Sequence, residues 1–515
     1  MKKQLEKLKK FWKLIFGRTG ILVFLLLVQA VILFGGFALI DKSAWIVNYT
    51  IGLLAVIILI YILNARSNSS FKLMWIILIL VVPVVGVAFY IFTRVQPGTA
   101  YISHRVNALI EEEKDYLTPH KDTLYDVYAE SKQECGFMQY LYKRGKYPVY
   151  SNASVKYFPL GEDKFQELLY QLERAEKFIF LEYFIVDKGI MWNRILRILA
   201  RKAREGVEVR FMYDGTCTLS LLPRNYPKRL EQLGIQCKIF APMRPFLSTH
   251  QNNRDHRKIA VIDGRAAFTG GVNLADEYIN AEQRFGYWKD AALRVEGDAA
   301  WNFTVMFLNF WNAFRPSETD YDAFRPMPLV SPVSDGIVQP YADSPLDEEP
   351  MAETVYLNIL AQAQRYVYIY TPYLAVGEEM LDALKNAAKR GVDIRLVLPG
   401  IPDKKLVFRL SRSYYLPLLR AGVRIYEYTP GFLHAKCWVS DDVTAVVGSI
   451  NMDYRSLFLH FECGVLLQKN SQVAVLRDDV RATLPQCREI QVTECRTSLP
   501  GTVLDSVLRL LSPLM

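Results

Sequence analysis

Two histidines, each followed two residues later by a lysine, are the side chains of this sequence best placed to do chemistry. His256 and Lys258 stand in DHRKIAVIDG, which begins at Asp255; His434 and Lys436 stand in LHAKCWVSDD, which begins at Leu433. Both copies continue alike. An aspartate follows the histidine by seven residues (Asp263, Asp441), and an asparagine after Gly-Gly or Gly-Ser follows it by 17 (Asn273, Asn451). The chain has only six histidines in 515 residues. A single H-x-K arises readily by chance. Two copies of H-x-K-x4-D-x6-G-(G/S)-x-N at one spacing point to a duplicated site.

Residues two apart on a strand face the same side, so each histidine and its lysine share a face. The small residues before each asparagine let the backbone approach a ligand closely. An imidazole, an ammonium and a carboxamide on one face suit a phosphate group: a nucleophile or acid, a positive charge and a neutral donor. Two such sets would bracket one phosphorus. A histidine of ordinary pKa serves as nucleophile or acid near neutrality. The candidate site is therefore His256, Lys258, Asp263, His434, Lys436 and Asp441, with Asn273, Asn451 and the two lysines as phosphate binders. Asp263 and Asp441 lie beside turns, where a structural role is equally open. No metal and no cofactor is expected, because the lysines neutralise the phosphate and no Cys/His or carboxylate ligand spacing occurs. The seven cysteines are odd in number and lack C-x-x-C spacing, against a disulfide framework or zinc site.

The elements around these motifs are of two kinds. Residues 21–40, 45–63 and 73–92 are long apolar runs, and twenty helical residues match the thickness of a bilayer core. Pro83 and Gly86 interrupt the third, as membrane helices tolerate. Before them, residues 1–18 carry seven basic residues against Glu6, a flank suited to membrane orientation or to anionic headgroups. The basic start places the N-terminus in the cytoplasm, and three spans would then put the large domain outside. Reduced cysteines would favour the cytosol, so the side remains open. From about residue 151 the pattern is α/β: an apolar run at 178–186, a helical period at 193–206 and an alternating strand at 207–214. The same order returns at 366–374, 380–391 and 392–400, which indicates an internal duplication. We divide the chain into a membrane-anchoring region (1–98), a helical connector (99–150), a first α/β domain (151–330) and a second (331–515).

With both motifs in hand, the chain resembles the phospholipase D superfamily, whose HxKxxxxD signature occurs twice per active site. HRKIAVIDGRAAFTGGVNLADEY, GYWKDAALRVEG and TPYLAVGEEMLDALKNAAKRGVDIRLVLPGIPD resemble bacterial cardiolipin synthases in particular, over nearly the whole chain. The resemblance implies an α/β fold of two pseudo-repeated phospholipase D-like domains, with mixed β-sheets flanked by helices and an N-terminal transmembrane helical region. It implies that His256 attacks phosphorus, that His434 protonates the leaving alcohol, and that Asp290 and Glu462 are carboxylates supporting the histidines. It implies a multi-pass plasma-membrane enzyme that joins two phosphatidylglycerol molecules into cardiolipin, acting on anionic phospholipids and not on nucleic acid. Two alternatives stay open: another phosphatidyltransferase or hydrolytic phospholipase D of the superfamily, and a non-catalytic lipid-binding scaffold.

Overall fold

The computed structural model describes residues 45–65, 68–94, 105–111, 116–117, 136–242, 252–314, 320–326, 335–347, 349–495 and 497–514. The basic segment 1–18 and the apolar run 21–40 lie outside these residues.

Each half is built on one mixed sheet. The first contains β1 (Ala153–Phe158), β2 (Phe178–Tyr183), β3 (Glu208–Asp214), β4 (Gln236–Phe240), β5 (Lys258–Ile262), β6 (Ala266–Gly270) and, beyond the short β7 (Tyr287–Lys289), β8 (Ala292–Gly297), in the order β1-β8-β6-β5-β2-β3-β4. Strands β2, β3 and β4 run parallel; the other pairings are antiparallel. The second sheet contains β9 (Ile337–Asp343), β10 (Tyr366–Tyr370), β11 (Asp393–Pro399), β12 (Arg424–Tyr428) and, after β13 (Gly431–Leu433), β14 (Cys437–Ser440), β15 (Thr444–Gly448), β16 (Glu462–Gln468) and β17 (Cys487–Glu489). Its order is β17-β12-β11-β10-β14-β15-β16-β9. The motif strands correspond: β5 lies antiparallel beside β2, and β14 beside β10.

The local reasons repeat as well. All six residues of β2 are buried, as a central strand covered on both faces requires. Among the helices, α1 (Trp45–Asn64), α2 (Ser69–Val81) and α3 (Pro83–Arg94) precede the sheets, and α4 (Gly136–Gly145) and α5 (Gly161–Glu173) flank β1. Then α6 (Ile190–Arg204) buries Met191, Trp192, Ile195 and Leu199 at helical spacing and gives way to Gly206 at φ +93°. After α7 (Ala300–Phe314) and α8 (Met351–Gln362), α9 (Glu378–Lys389) does the same with Met380, Leu381 and Leu384 before Gly391 at φ +94°. Helix α7 packs on β2, β5, β6 and β8 and also touches β9, so one apolar core runs through both halves. Helices α10 (Lys405–Ser413), α11 (Ser471–Thr483) and α12 (Leu499–Leu511) follow β11, β16 and β17 in turn.

The third apolar run, read above as one interrupted span, is corrected by the structure: it is a hairpin. Pro83 has no N–H to continue a helix, and Val82 leaves helical geometry (φ −136°, ψ 74°), so α2 ends and α3 begins there. The two fold back on each other, Trp75 against Tyr90 at 5.1 Å. A side chain at Gly86 would meet the Ile79 backbone at 2.7 Å, so glycine permits the close crossing. At 13 and 12 residues, α2 and α3 reach only about 20 Å each. Among the described residues no helix is long and apolar enough to cross a membrane. The hairpin packs on α1 and stands on the second half, where Ser70 Oγ lies 2.7 Å from Tyr454 Oη and Phe71 meets Phe458.

Candidate active site

Neither motif histidine lies within a strand of the main sheets. Each occupies an extended link just before its motif strand, and the other half of the molecule holds the link. The His256 N–H donates to the Phe461 carbonyl (3.0 Å), and the His434 N–H donates to the Lys289 carbonyl (2.7 Å). Strand β13, which ends at Leu433, pairs with β7 of the first half. The shared face expected from strand spacing survives because the link is extended. Its ladder is absent because the chain is crossing from one sheet to the other.

This crossing brings each histidine against a carboxylate of the opposite half. His256 Nδ1 lies 2.8 Å from Glu462 Oε1, and His434 Nδ1 lies 2.7 Å from Asp290 Oδ2. Phe461 and Lys289, which hold the backbones, immediately precede these two carboxylates. With Nδ1 engaged, Nε2 is the ring nitrogen left to a substrate. All four side chains are buried, as are Lys258 and Lys436. Each ammonium caps the carbonyl of its own histidine, and Lys436 also lies 2.9 Å from His434 Nδ1.

Burial sets the charges. It lowers Lys258 to about 8 and Lys436 to about 7, against the pull of Glu462 and Asp290. Burial, then the Lys436 charge, lowers His434 to about 4, with Asp290 opposing. Burial and the Lys258 charge drive His256 well below its ordinary value. The two carboxyls part company. Burial raises Glu462 to about 8, although Lys258 opposes it. Burial would raise Asp290 too, but His434 and Lys436 outweigh it and hold this group below the usual range. His256 is thus a neutral imidazole beside a carboxyl that burial raises, and His434 faces a carboxylate held low.

The remaining expected residues divide. Asp263 and Asp441 are not brought to the imidazoles. They stand at the far ends of β5 and β14, about 20 Å along the chain from the histidines. The Asp263 carboxylate accepts from the N–H groups of Glu176, Lys177 and Phe178. Asp441 accepts from those of Gln364, Arg365 and Tyr366. Each therefore fixes the start of β2 or β10, at a turn residue with φ near +54°. Asn273 spends its amide on the Ile185 N–H and the Tyr278 hydroxyl, whereas the buried Asn451 Oδ1 has no hydrogen-bond partner.

A third histidine, absent from the expectation, stands beside the first. His460 is buried, its ring 5.3 Å from that of His256, and neither of its nitrogens has a hydrogen-bond partner. Its spacing of two from Glu462 was a readable signal. His256, His460 and Glu462 offer three ligand atoms within 4.8 Å of one another, a grouping that sequence spacing does not reveal. The charges of Lys258, Arg455, Arg254 and Lys404 bear on His460, so this corner favours an anion over a dication.

The arrangement can attack a phosphodiester from one imidazole and protonate a leaving alcohol from the other, with two ammonium groups on the phosphate oxygens. Comparison with known proteins agrees. Residues 168–286 and 356–483 match the family model "Cardiolipin synthase, PLD-like domain", and residues 53–94 match "Phospholipase_D-nuclease N-terminal". The cardiolipin synthase of Alkalihalophilus pseudofirmus is 33% identical over 97% of this chain and 100% of its own. That of Halalkalibacterium halodurans is 34% identical over 92% of this chain and 94% of its own. Phosphatidylserine synthase from Haemophilus influenzae shares the fold at a TM-score of 0.56 and 12% identity, covering 75% of this chain and 100% of that one.

Proposed function

The chain belongs to the bacterial cardiolipin synthases of the phospholipase D superfamily, and from that premise we infer how its own residues carry out phosphatidyl transfer. His256 Nε2 attacks the phosphorus of one phosphatidylglycerol. A P–N bond forms, the P–O bond to the headgroup glycerol breaks, and His434 gives its proton to the departing glycerol oxygen. A second phosphatidylglycerol then passes its terminal hydroxyl proton to His434 and attacks the phosphorus. The P–N bond breaks and cardiolipin leaves. One phosphodiester replaces another, so the overall reaction is close to thermoneutral.

The observation that carries this reading is the reciprocal pairing of each histidine with a carboxylate of the other half. Neither half forms a working imidazole alone, which fits one phosphorus held between the two. The electrostatics favour the assignment of roles. A nucleophile must be neutral, and burial with the Lys258 charge keeps His256 so. An acid must take up a proton, and the Asp290 anion supports a charged His434. Burial and Lys436 hold His434 low; a phosphate entering between the lysines adds negative charge and raises it, as an acid requires.

We also infer that the enzyme is membrane-attached through its apolar N-terminal region. The exposed apolar residues of α1 and α2, such as Leu53, Ile57, Leu73 and Leu80, fit a lipid environment. The hairpin stands on the segment that follows Asn451, and with its apolar faces in a bilayer it would bring lipid near the site. That placement matters, because water competes with the lipid hydroxyl for the phosphatidyl-enzyme.

The deciding experiment incubates the purified full chain with phosphatidylglycerol labelled in both headgroup and acyl chains. One glycerol released per cardiolipin formed is expected. Phosphatidic acid as the main product would make the protein a hydrolase, and no turnover would make it a binding scaffold.

A further inference from the structure

The C-terminal helix α12 carries an apolar stripe that none of the described residues covers. Leu499, Val503, Val507 and Leu511 recur at a spacing of four and are 85%, 64%, 46% and 39% exposed. Spacing of four on an α-helix places them in one row along its face. The orientation is fixed from the other side. Leu508 is buried, Asp505 holds Arg409 of α10 at 2.7 Å, and Arg509 donates to Ser413 at 3.1 Å. The stripe is therefore presented outward and is not left over from a loose end.

Two further observations say what would cover it. First, α12 packs against α2, whose Leu73, Leu80 and Val81 are themselves 53%, 63% and 73% exposed. The stripe thus continues the apolar surface of the N-terminal hairpin. Second, a cavity of about 840 Å³ lies between α10, the short helix Tyr415–Arg420 and α12. Four arginines line it, Arg409, Arg412, Arg420 and Arg509, against two acids, Glu494 and Asp505. Ser506 and Arg509 line the cavity from α12, and helical geometry puts Ser506 beside the stripe. An apolar stripe edged by a cationic cavity matches a lipid whose chains enter a bilayer while its phosphate stays at the surface.

We propose that α12 and this cavity form a second lipid-facing surface: the Leu499–Val503–Val507–Leu511 stripe lies in the interface of an anionic bilayer, and the arginines hold the phosphate of one of its phospholipids. The surface is separate from the histidine site and would orient that site on the membrane. It rests on the reading that the enzyme works at a bilayer.

The test uses the full chain in nanodiscs of equal phosphatidylglycerol and phosphatidylcholine, with the photo-crosslinker benzoylphenylalanine placed singly at Val503, Val507 or Ser506. Tyr170, 54% exposed on α5 of the first half, serves as the control position. Several-fold more lipid adduct at Val503 and Val507 than at Tyr170 is expected. At Ser506, phosphatidylglycerol should exceed phosphatidylcholine several-fold among the adducts. Arg412→Gln with Arg420→Gln should abolish that preference and leave the Val503 and Val507 adducts in place. Lipid adducts no more frequent than at Tyr170, or adducts to a second copy of the chain, would overturn the membrane assignment. Equal capture of the two lipids at Ser506 would overturn the headgroup site. Cardiolipin formation is followed in the same nanodiscs, so a failure of the enzymatic reading registers separately from a failure of the lipid surface.

Discussion

The two half-sites share a motif and differ in what surrounds it. At the position after the motif glycine, the first half has Gly271 and the second has Ser449. A side chain on Gly271 would meet Asp290 Oδ1 at 2.0 Å, so its bareness makes room for that carboxylate. Ser449 instead donates to Glu462 Oε2 at 2.5 Å. Around His434 stand Tyr278, Trp288 and Phe432, with ring centroids 5.4, 5.3 and 5.9 Å away. Around His256 stand Phe184 at 4.9 Å and the imidazole of His460. His434 and Lys436 hold Asp290 below the usual carboxylate range, whereas burial pushes Glu462 above it. The difference teaches that duplication supplied two equal histidines and the contacts around them made the two unequal, one suited to attack and one to proton transfer.

The largest expected effect breaks the comparison outright. His256→Ala should abolish turnover, and His434→Ala should lower it by roughly 10²–10⁴, the usual worth of a positioned acid. A phosphatidyl ester of p-nitrophenol, whose leaving group needs no proton, should restore release of the leaving group in His434→Ala but not in His256→Ala. Rescue of both, or of His256→Ala alone, would reverse or erase the division of roles. Circular dichroism checks that each variant remains folded.

Next come the lysines. Lys258→Ala and Lys436→Ala should each reduce kcat by about 10²–10³, because one electrostatic stabiliser in a dry site is worth about 3–4 kcal/mol. A loss confined to KM would mean that they bind the ground state and do not stabilise the transition state.

How much of this was readable from residues alone follows the length of the pattern involved. The motif spacing, the strand–helix–strand order of both halves and the stops at Gly206 and Gly391 are local, and each stands where the residues placed it. Asp290 and Glu462 came as supporting carboxylates through the family resemblance, not through the residues alone, and their exchange across the halves depends on how the two sheets face each other. Asp263 and Asp441 share the repeated spacing of the motif, yet their carboxylates hold backbone N–H groups; spacing alone cannot separate a residue that serves the reaction from one that serves the strand beside it. His460 escaped because it falls outside the repeated pattern, although it stands two residues from Glu462. The hairpin at Pro83 looked like a span because hydropathy does not report a reversal.

A smaller effect compares the two carboxylates. Gly271→Ala pushes a methyl group into Asp290 and should lower kcat by about tenfold or more, roughly the cost of disturbing one buried charged hydrogen bond. Ser449→Ala removes one donor from Glu462 and should cost less, a few-fold. The reverse order would show that Glu462, not Asp290, is the carboxylate the reaction depends on.

The gentlest probe is pH. Lys258 and Lys436 bind phosphate only when protonated, and burial brings them to about 8 and 7. Free-enzyme kcat/KM should therefore fall as pH rises through 7 to 8, whereas lysines of ordinary pKa, near 10.4, would hold a plateau to about pH 10. A flat profile through pH 9 would mean that the two ammonium groups are not buried as described.

The most direct measurement is where the phosphatidyl group resides. The full chain is mixed with phosphatidylglycerol labelled at phosphorus, quenched in alkali, where phosphohistidine persists, and digested for peptide mapping. The account predicts label on the peptide containing His256, formed in wild type and accumulating in a variant that cannot release it. Label on the peptide containing His434, or turnover to cardiolipin with no labelled histidine at all, would contradict it.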